Sequence, residues 1–302
     1  MTVPSAIYLP GALQRHLNDN LQTFFYGSQG DFVRPQHESA LLPPSSTSWR
    51  IWKNPISLFV GGTAAVILEL AEPAVRAGVW DHSTFRTNPL RRLQRTGLAA
   101  MVTVYGARSV AQPMIARIVK MHAGIHGKTA AGKTYAASDP RLLNWVHATA
   151  AHCFAESYSR YVDPLSTKDL NDYYREGAPI AALYGALGAP QSVPEMQSLF
   201  ASMRTALDAS PEVLEFLRIM RDTAAFPRPL AWLQPMLVRA AVELIPDWIR
   251  ERLGLTERFG LRRHERWLVR FAGASSNRIV LPASPPVQSC VRLGLPMTYL
   301  YT

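Results

Sequence analysis

The chain has 302 residues, 48% of them hydrophobic and 18% charged, which is enough for one sizeable core or at most two small ones. Its net charge of +10 permits contact with nucleic acid, anionic membrane or acidic ligands but requires none of them. Two cysteines, Cys153 and Cys290, exclude a disulfide framework and a cysteine-ligated zinc site, which favours a reducing compartment. The first residues show no secretory signal, so we expect a cytoplasmic protein.

Helical periodicity dominates the chain, and no alternating run of apolar and polar residues is long enough to predict a sheet. The first helix is expected over residues 13–25, before the Pro- and Ser-rich connector "RPQHESALLPPSSTS". Further helices are expected over residues 89–106 and 109–126. The second of these carries apolar side chains and a histidine at helical spacing, namely Ile115, Ile118, His122 and Ile125.

The longest apolar stretch, "ISLFVGGTAAVILELAEPAV", predicts one buried helix over residues 56–78. Because Glu69, Glu72 and Pro73 interrupt the stretch, it does not fit a membrane span.

Local start signals place the helices of the second half. Pro140 follows a capping residue and opens a long helix, and Ser166 and Asp169 have the spacing of a capping box. We expect the last thirty or so residues, rich in proline, to be an extended tail. The remaining helices are expected over residues 192–207, 211–223 and 229–270, the last segment being divided near Gly254.

These signals predict an all-α protein with one helical domain. We assign residues 1–53 to the N-terminal helix and connector, 54–272 to the helical domain, and 273–302 to an irregular C-terminal tail.

The segment "GKTAAGKT", residues 127–134, fits the phosphate-loop pattern G-x-x-x-x-G-K-[ST]. A phosphate loop needs a buried strand before it and a helix starting at its Lys-Thr end. Here a predicted helix precedes the pattern, and Pro140 leaves no room for a helix at Lys133. We therefore interpret the segment as a loop between helices.

Four histidines lie on two predicted helices: His122 and His126 one turn apart, and His147 and His152 on the next long helix. Three interpretations of His122 are open. It is a hydrogen-bonded core histidine, or it binds a metal together with His126, or it is the axial ligand of a haem. No "HExxH" pattern or facial carboxylate set supports the second interpretation.

An arginine cluster bears on the third interpretation. "NPLRRLQRTG" places Arg92, Arg95 and Thr96 within about one helical turn, ahead of an apolar run. Such a cluster is usually a solvated helix end. It also suits the propionate carboxylates of a buried haem, which need charge-assisted donors.

Six segments, spread in order over residues 54–188, resemble the catalytic domain shared by bacterial rubber oxygenase (latex clearing protein) and the fungal MpaB-type oxygenase of mycophenolic acid biosynthesis. They are "NPISLFVGGTAAVILELAEPAVRAGVWDHS", "NPLRRLQRTGLAAMVTVYG", "VKMHAGIHG", "YAASDPRLLNWVHAT", "YVDPLSTKDLNDYYRE" and "LGAP".

The resemblance implies an all-helical fold with a globin-like core and one haem b. It implies that His122 is the proximal iron ligand and that Arg92, Arg95 and Thr96 contact the propionates. We further expect His126 to reach the cofactor edge. His147, on the facing helix, is expected to lie behind the side chains that contact the cofactor directly. The chemistry implied is dioxygen-dependent cleavage of carbon–carbon double bonds in a small apolar, isoprenoid-like substrate.

Two departures from the family pattern affect the reaction. Arg95 stands where rubber oxygenase has a distal lysine, and a guanidinium is a poor iron ligand. No motif matches the catalytic glutamate of rubber oxygenase; Glu69 and Glu72 are the nearest acids. We assign catalytic roles to Arg95, Thr96 and Glu72, and expect an apolar lining from Leu98, Val102, Ile118 and Ile125.

Two alternatives remain. One is a haem protein with peroxidase-like or other non-oxygenase chemistry. The other is a non-catalytic helical protein that binds a membrane or another anionic surface through residues 247–270, where Trp248, Phe259 and Trp267 alternate with seven arginines and four acids. We expect no nucleic-acid partner, and peripheral membrane contact through this segment remains open.

Overall fold

The computed structural model describes residues 31–301 together with residues 6–8, 10, 11, 14, 15, 18 and 19. Of the helix expected over residues 13–25, residues 14, 15, 18 and 19 are described and are helical; the other nine lie outside the described residues, so the extent of this helix stays a prediction.

Within residues 31–301 the chain is all-α, as predicted, with one small hairpin. Two short 3-10 helices also occur, at Arg228–Leu233 and Glu257–Phe259. The α-helices are α1 (Thr47–Trp52), α2 (Pro55–Leu70), α3 (Pro73–His82), α4 (Pro89–Tyr105), α5 (Arg108–Ala123), α6 (Pro140–Tyr161), α7 (Thr167–Leu183), α8 (Val193–Ser202), α9 (Pro211–Asp222), α10 (Gln234–Glu243), α11 (Asp247–Arg252), α12 (Arg263–Ser276) and α13 (Pro285–Arg292).

Several helices begin where proline follows a capping side chain. Asn54, Asn88 and Asp139 each accept hydrogen bonds from backbone N–H groups of the first turn, which have no partner inside the helix. The predicted capping box of Ser166 and Asp169 is confirmed at the start of α7. These local signals explain why the predicted starts of α4, α6 and α7 agree with the structure.

The single helix predicted over residues 56–78 is wrong, because the chain bends by 110° between α2 and α3. Glu72 is extended (φ −89°, ψ 120°) and Pro73 begins the next helix. A proline disfavours the helical conformation in the residue before it, which agrees with the extended Glu72 and with the end of the helix at this point. No single helix in the described part of the chain has the length and apolarity to cross a membrane; only α2 and α3 taken together, across their bend, reach that threshold.

The core is organised around α2 and α6, which pack along each other. Gly61 allows the close approach: a Cβ there would lie 2.8 Å from the Phe154 ring and 3.0 Å from the Cys153 carbonyl oxygen. Near the other end of α2, Trp145 donates its indole N–H to the Leu68 carbonyl at 3.2 Å. The pair therefore fixes the position of the last turn of α2, which carries Glu69.

The phosphate-loop pattern lies on a hairpin, where a loop between helices was expected. Strand β1 (His126–Lys128) pairs antiparallel with β2 (Thr134–Ala136), and Gly132 has a φ of +79°, which suits glycine in a turn. The next helix, α6, starts only at Pro140. The strand–loop–helix geometry of a phosphate site is thus replaced by strand–turn–strand.

The C-terminal segment, expected to be an irregular tail, contains helix α13. Its prolines stand at the first two helical positions, where no N–H partner is needed, and so open a helix instead of preventing one. Buried Arg292 ends this helix and donates to three carbonyl oxygens: Glu38 at 2.9 Å, Phe32 at 2.9 Å and Tyr105 at 2.7 Å.

Candidate functional site

The first turns of α4 carry the predicted arginine cluster. Arg92 is half-buried, whereas Arg95 and Thr96 are exposed. The Arg92 guanidinium donates to the Thr96 hydroxyl, which in turn donates to the Arg92 carbonyl at 2.9 Å. Burial lowers the pKa of Arg92, Glu69 opposes that shift, and Arg95 adds to it. The structure thus brings the three predicted residues together on one helix face, with a partly desolvated cation at the centre.

His122 lies in the last turn of α5 and is half-buried. Its Nδ1 is buried without a hydrogen-bond partner among the described residues. Burial lowers the pKa of this imidazole, and the nearby Arg92 charge lowers it further. The ring is therefore neutral at physiological pH and keeps a free lone pair. Because its buried nitrogen has no partner, the interpretation as a hydrogen-bonded core histidine does not describe it.

Glu69, in the last turn of α2, is the acid that shares this site. Burial raises its pKa to about 7, and the Arg92 cation opposes the shift. The Arg92 charge thus acts on both Glu69 and His122. The site is therefore built from side chains of three helices, α2, α4 and α5. Sequence reasoning gave Glu69 no role. The signal available was a carboxylate inside an otherwise apolar helix with no partner at helical spacing.

Replacing Glu69 by glutamine is expected to raise the free energy of unfolding above pH 7, by on the order of 1–3 kcal/mol. A folded-state pKa near 7 lies above the ordinary value of 4.5, so the carboxyl contributes fully below pH 4.5 and loses that contribution as pH rises through 7. Glutamine stays neutral throughout. Urea unfolding at about pH 4 and about pH 8 measures the difference. The exposed Glu251→Gln variant is the control, and a pH dependence unchanged by E69Q would contradict this account.

Glu72, predicted to be catalytic, is buried and caps α3. Its Oε2 accepts from the N–H groups of Ala74 at 2.6 Å and Val75 at 2.8 Å, while Oε1 accepts from Arg141 at 3.0 Å. Both oxygens are therefore engaged in holding the bend after α2. The structure gives Glu72 a structural role at the place where we had assigned a reacting carboxylate.

The other two histidines predicted to contact the cofactor, His126 and His147, lie on different elements. Because α5 ends at Ala123, His126 is on β1; its exposed ring has Nε2 2.9 Å from the Ala123 carbonyl oxygen. His147 is half-buried on α6 and faces Gly177 of α7, where a Cβ would lie 3.8 Å from its Nε2. Burial lowers the pKa of His147 to about 4, so it stays neutral.

The expected apolar lining is only partly buried. Leu98 and Val102 on α4 pack against a cluster formed by Met101, Val104 and neighbouring aromatic residues, with Ile180 of α7 also in contact. Ile118 is half-buried on α5, and Ile125 packs against the main core. Apolar side chains of α4 and α5, the two helices that carry Arg92 and His122, thus remain partly accessible.

Comparison with known proteins identifies the family. The family model described as "ER-bound oxygenase mpaB/B'/Rubber oxygenase, catalytic domain" matches residues 49–276. No curated protein and no solved structure matches the chain significantly. The family match covers well over half of the chain and includes α2 to α12, which carry every residue of the site. The chain therefore belongs to the oxygenase family that unites the catalytic domains of mpaB and rubber oxygenase, and is an oxidoreductase by that membership.

Proposed function

We propose that this protein is a haem b-dependent oxygenase that uses dioxygen to oxidise or cleave a small apolar, isoprenoid-like substrate. The observation that carries the proposal is the His122 imidazole, half-buried beside Arg92, whose buried Nδ1 has no hydrogen-bond partner among the residues that the structure describes.

The residues present fit a haem. No group of three or more His, Cys, Asp or Glu side chains that could hold a bare metal ion occurs in the part of the chain described here. A haem needs only one or two protein ligands for its iron, and His122 offers one. Arg92, Arg95 and Thr96 supply donors for carboxylates, and the half-buried Leu98 and Val102 supply an apolar wall.

Each side chain has a definite task in this proposal. When bound, the haem supplies the iron that binds and activates dioxygen. His122 donates a lone pair, which its lowered pKa keeps available. Arg95 would pair with a propionate, because a guanidinium is a poor iron ligand and a good donor to carboxylates. Glu69, with a pKa of about 7, exists in both protonation states near neutrality and can hold or release a proton. Glu72 keeps α3 in place.

A haem titration followed by a turnover assay tests the proposal. Addition of haemin to the purified chain is expected to produce a saturable Soret band at one equivalent. With an acyclic isoprenoid alkene such as squalene, the loaded protein is expected to consume dioxygen and release carbonyl products, and argon abolishes both. Failure to bind haem would overturn the proposal. Haem binding with peroxide-dependent turnover alone would favour the peroxidase-like alternative.

A further inference from the structure

The outer face of α12 presents two large aromatic side chains to solvent. Trp267 is 63% exposed and Phe271 is 60% exposed, and they lie one turn apart. Their rings stack with centroids 5.5 Å apart and an interplanar angle of 13°. Large aromatic side chains that lie next to each other and are mostly exposed are characteristic of binding surfaces.

A groove of about 530 Å³ adjoins this aromatic pair, between the end of α6 and the outer face of α12. Four arginines line it: Arg160, Arg263, Arg266 and Arg270. Arg266 pairs with Glu243 and Arg160 with Glu156, each at 2.7 Å. Arg263 and Arg270 are exposed and form no ion pair with any described residue. The two free cations and the two aromatic rings share one helix face, at positions 263, 267, 270 and 271.

Neither Glu265 nor Glu243 neutralises this face. Glu265, on the same helix, points inward, where it is buried and paired with Arg239. Glu243 is engaged by Arg266 and also accepts from the Leu261 N–H at 3.0 Å. The face therefore combines positive charge with exposed aromatic surface.

We propose that the α12 face, meaning Arg263, Trp267, Arg270 and Phe271, docks onto the surface of an anionic phospholipid membrane. Trp267 and Phe271 enter the boundary between headgroups and acyl chains, and the two arginines contact lipid phosphates. The charge complements an anionic leaflet, and the patch has the extent of a few headgroups, whereas a nucleic-acid track would continue the cations along several phosphates. Docking of the α12 face onto a membrane does not require a bound haem.

Vesicle sedimentation tests the proposal. The full chain is incubated with neutral phosphatidylcholine vesicles and with vesicles containing about one-third phosphatidylserine, at low salt and at about 0.5 M salt. We expect binding to the anionic vesicles at low salt, and weaker binding to neutral vesicles or at high salt. W267S/F271S and R263Q/R270Q are each expected to weaken binding at least about tenfold.

The control matches the change in charge. R218Q/R228Q removes two exposed arginines elsewhere on the surface and is expected to leave vesicle binding within about twofold of the wild type. Equal losses in this control and in R263Q/R270Q would overturn the proposal, because net charge alone would then explain the binding. Absence of vesicle binding, or binding only to an oligonucleotide, would also overturn it. Far-UV circular dichroism verifies that each variant is folded.

Discussion

The His122→Ala variant is expected to bind haem more than about 100-fold more weakly than the wild type and to lose the Soret band at equimolar haem. The reason is that His122 contributes the partly buried, neutral imidazole at this site, whose Nδ1 has no partner within the described part of the chain. Alanine is a good helix former, and position 122 lies in the last turn of α5, so the fold is expected to persist. Haem titration followed by absorption measures the loss.

His126→Ala is the matched control, because its ring is exposed and contacts only a local carbonyl oxygen. We expect it to retain a wild-type Soret band. Free imidazole added to His122→Ala should restore the band, since it replaces the missing ligand without repairing any other contact. A band unaltered in His122→Ala, or lost instead in a His147 variant, would place the iron ligand elsewhere.

The second large effect is expected at Glu72, three residues after Glu69. Glu72→Ala is expected to lower the free energy of unfolding by about 2–4 kcal/mol. It removes two charge-assisted hydrogen bonds to the first turn of α3 and an ion pair with Arg141, all at a buried position. Glu72→Gln keeps one carbonyl oxygen as an acceptor and is expected to lose about half as much stability. Urea unfolding at neutral pH measures both.

The contrast between Glu69 and Glu72 separates a site residue from a structural one. Glutamine at 69 is expected to stabilise the protein above pH 7, and glutamine at 72 to destabilise it. If Glu72→Ala retained wild-type stability but lost oxygenase turnover, the capping interpretation would be wrong and the original catalytic assignment would stand.

The sequence predicted those features that depend on neighbouring residues. A capping residue followed by proline marks the starts of α4 and α6, and a capping box marks the start of α7; helical spacing placed Arg92, Arg95 and Thr96 on one face. The family resemblance, now confirmed over residues 49–276, added what spacing could not: the assignment of an iron ligand.

Features that depend on distant contacts were not predictable in this way. Glu69 acquires its raised pKa through burial, and the only local sign of that burial is a carboxylate within an otherwise apolar helix. The break before Pro73 was local and was signalled by Glu72 and Pro73, but the apolar residues on both sides of it suggested a single helix. The prolines of α13 likewise suggested an extended tail. The structure instead shows a helix whose Val287 and Cys290 are buried.

The guanidinium of Arg292 joins regions that lie outside the family match to one that lies within it. The carbonyls of Phe32 and Glu38 precede residue 49, Arg292 follows residue 276, and Tyr105 ends the helix that carries Arg92. A fragment trimmed to the family boundaries would lack Arg292, and the Tyr105 carbonyl at the C-terminal end of α4 would lose this donor. We therefore expect a form trimmed to the family boundaries to be less stable than the full chain.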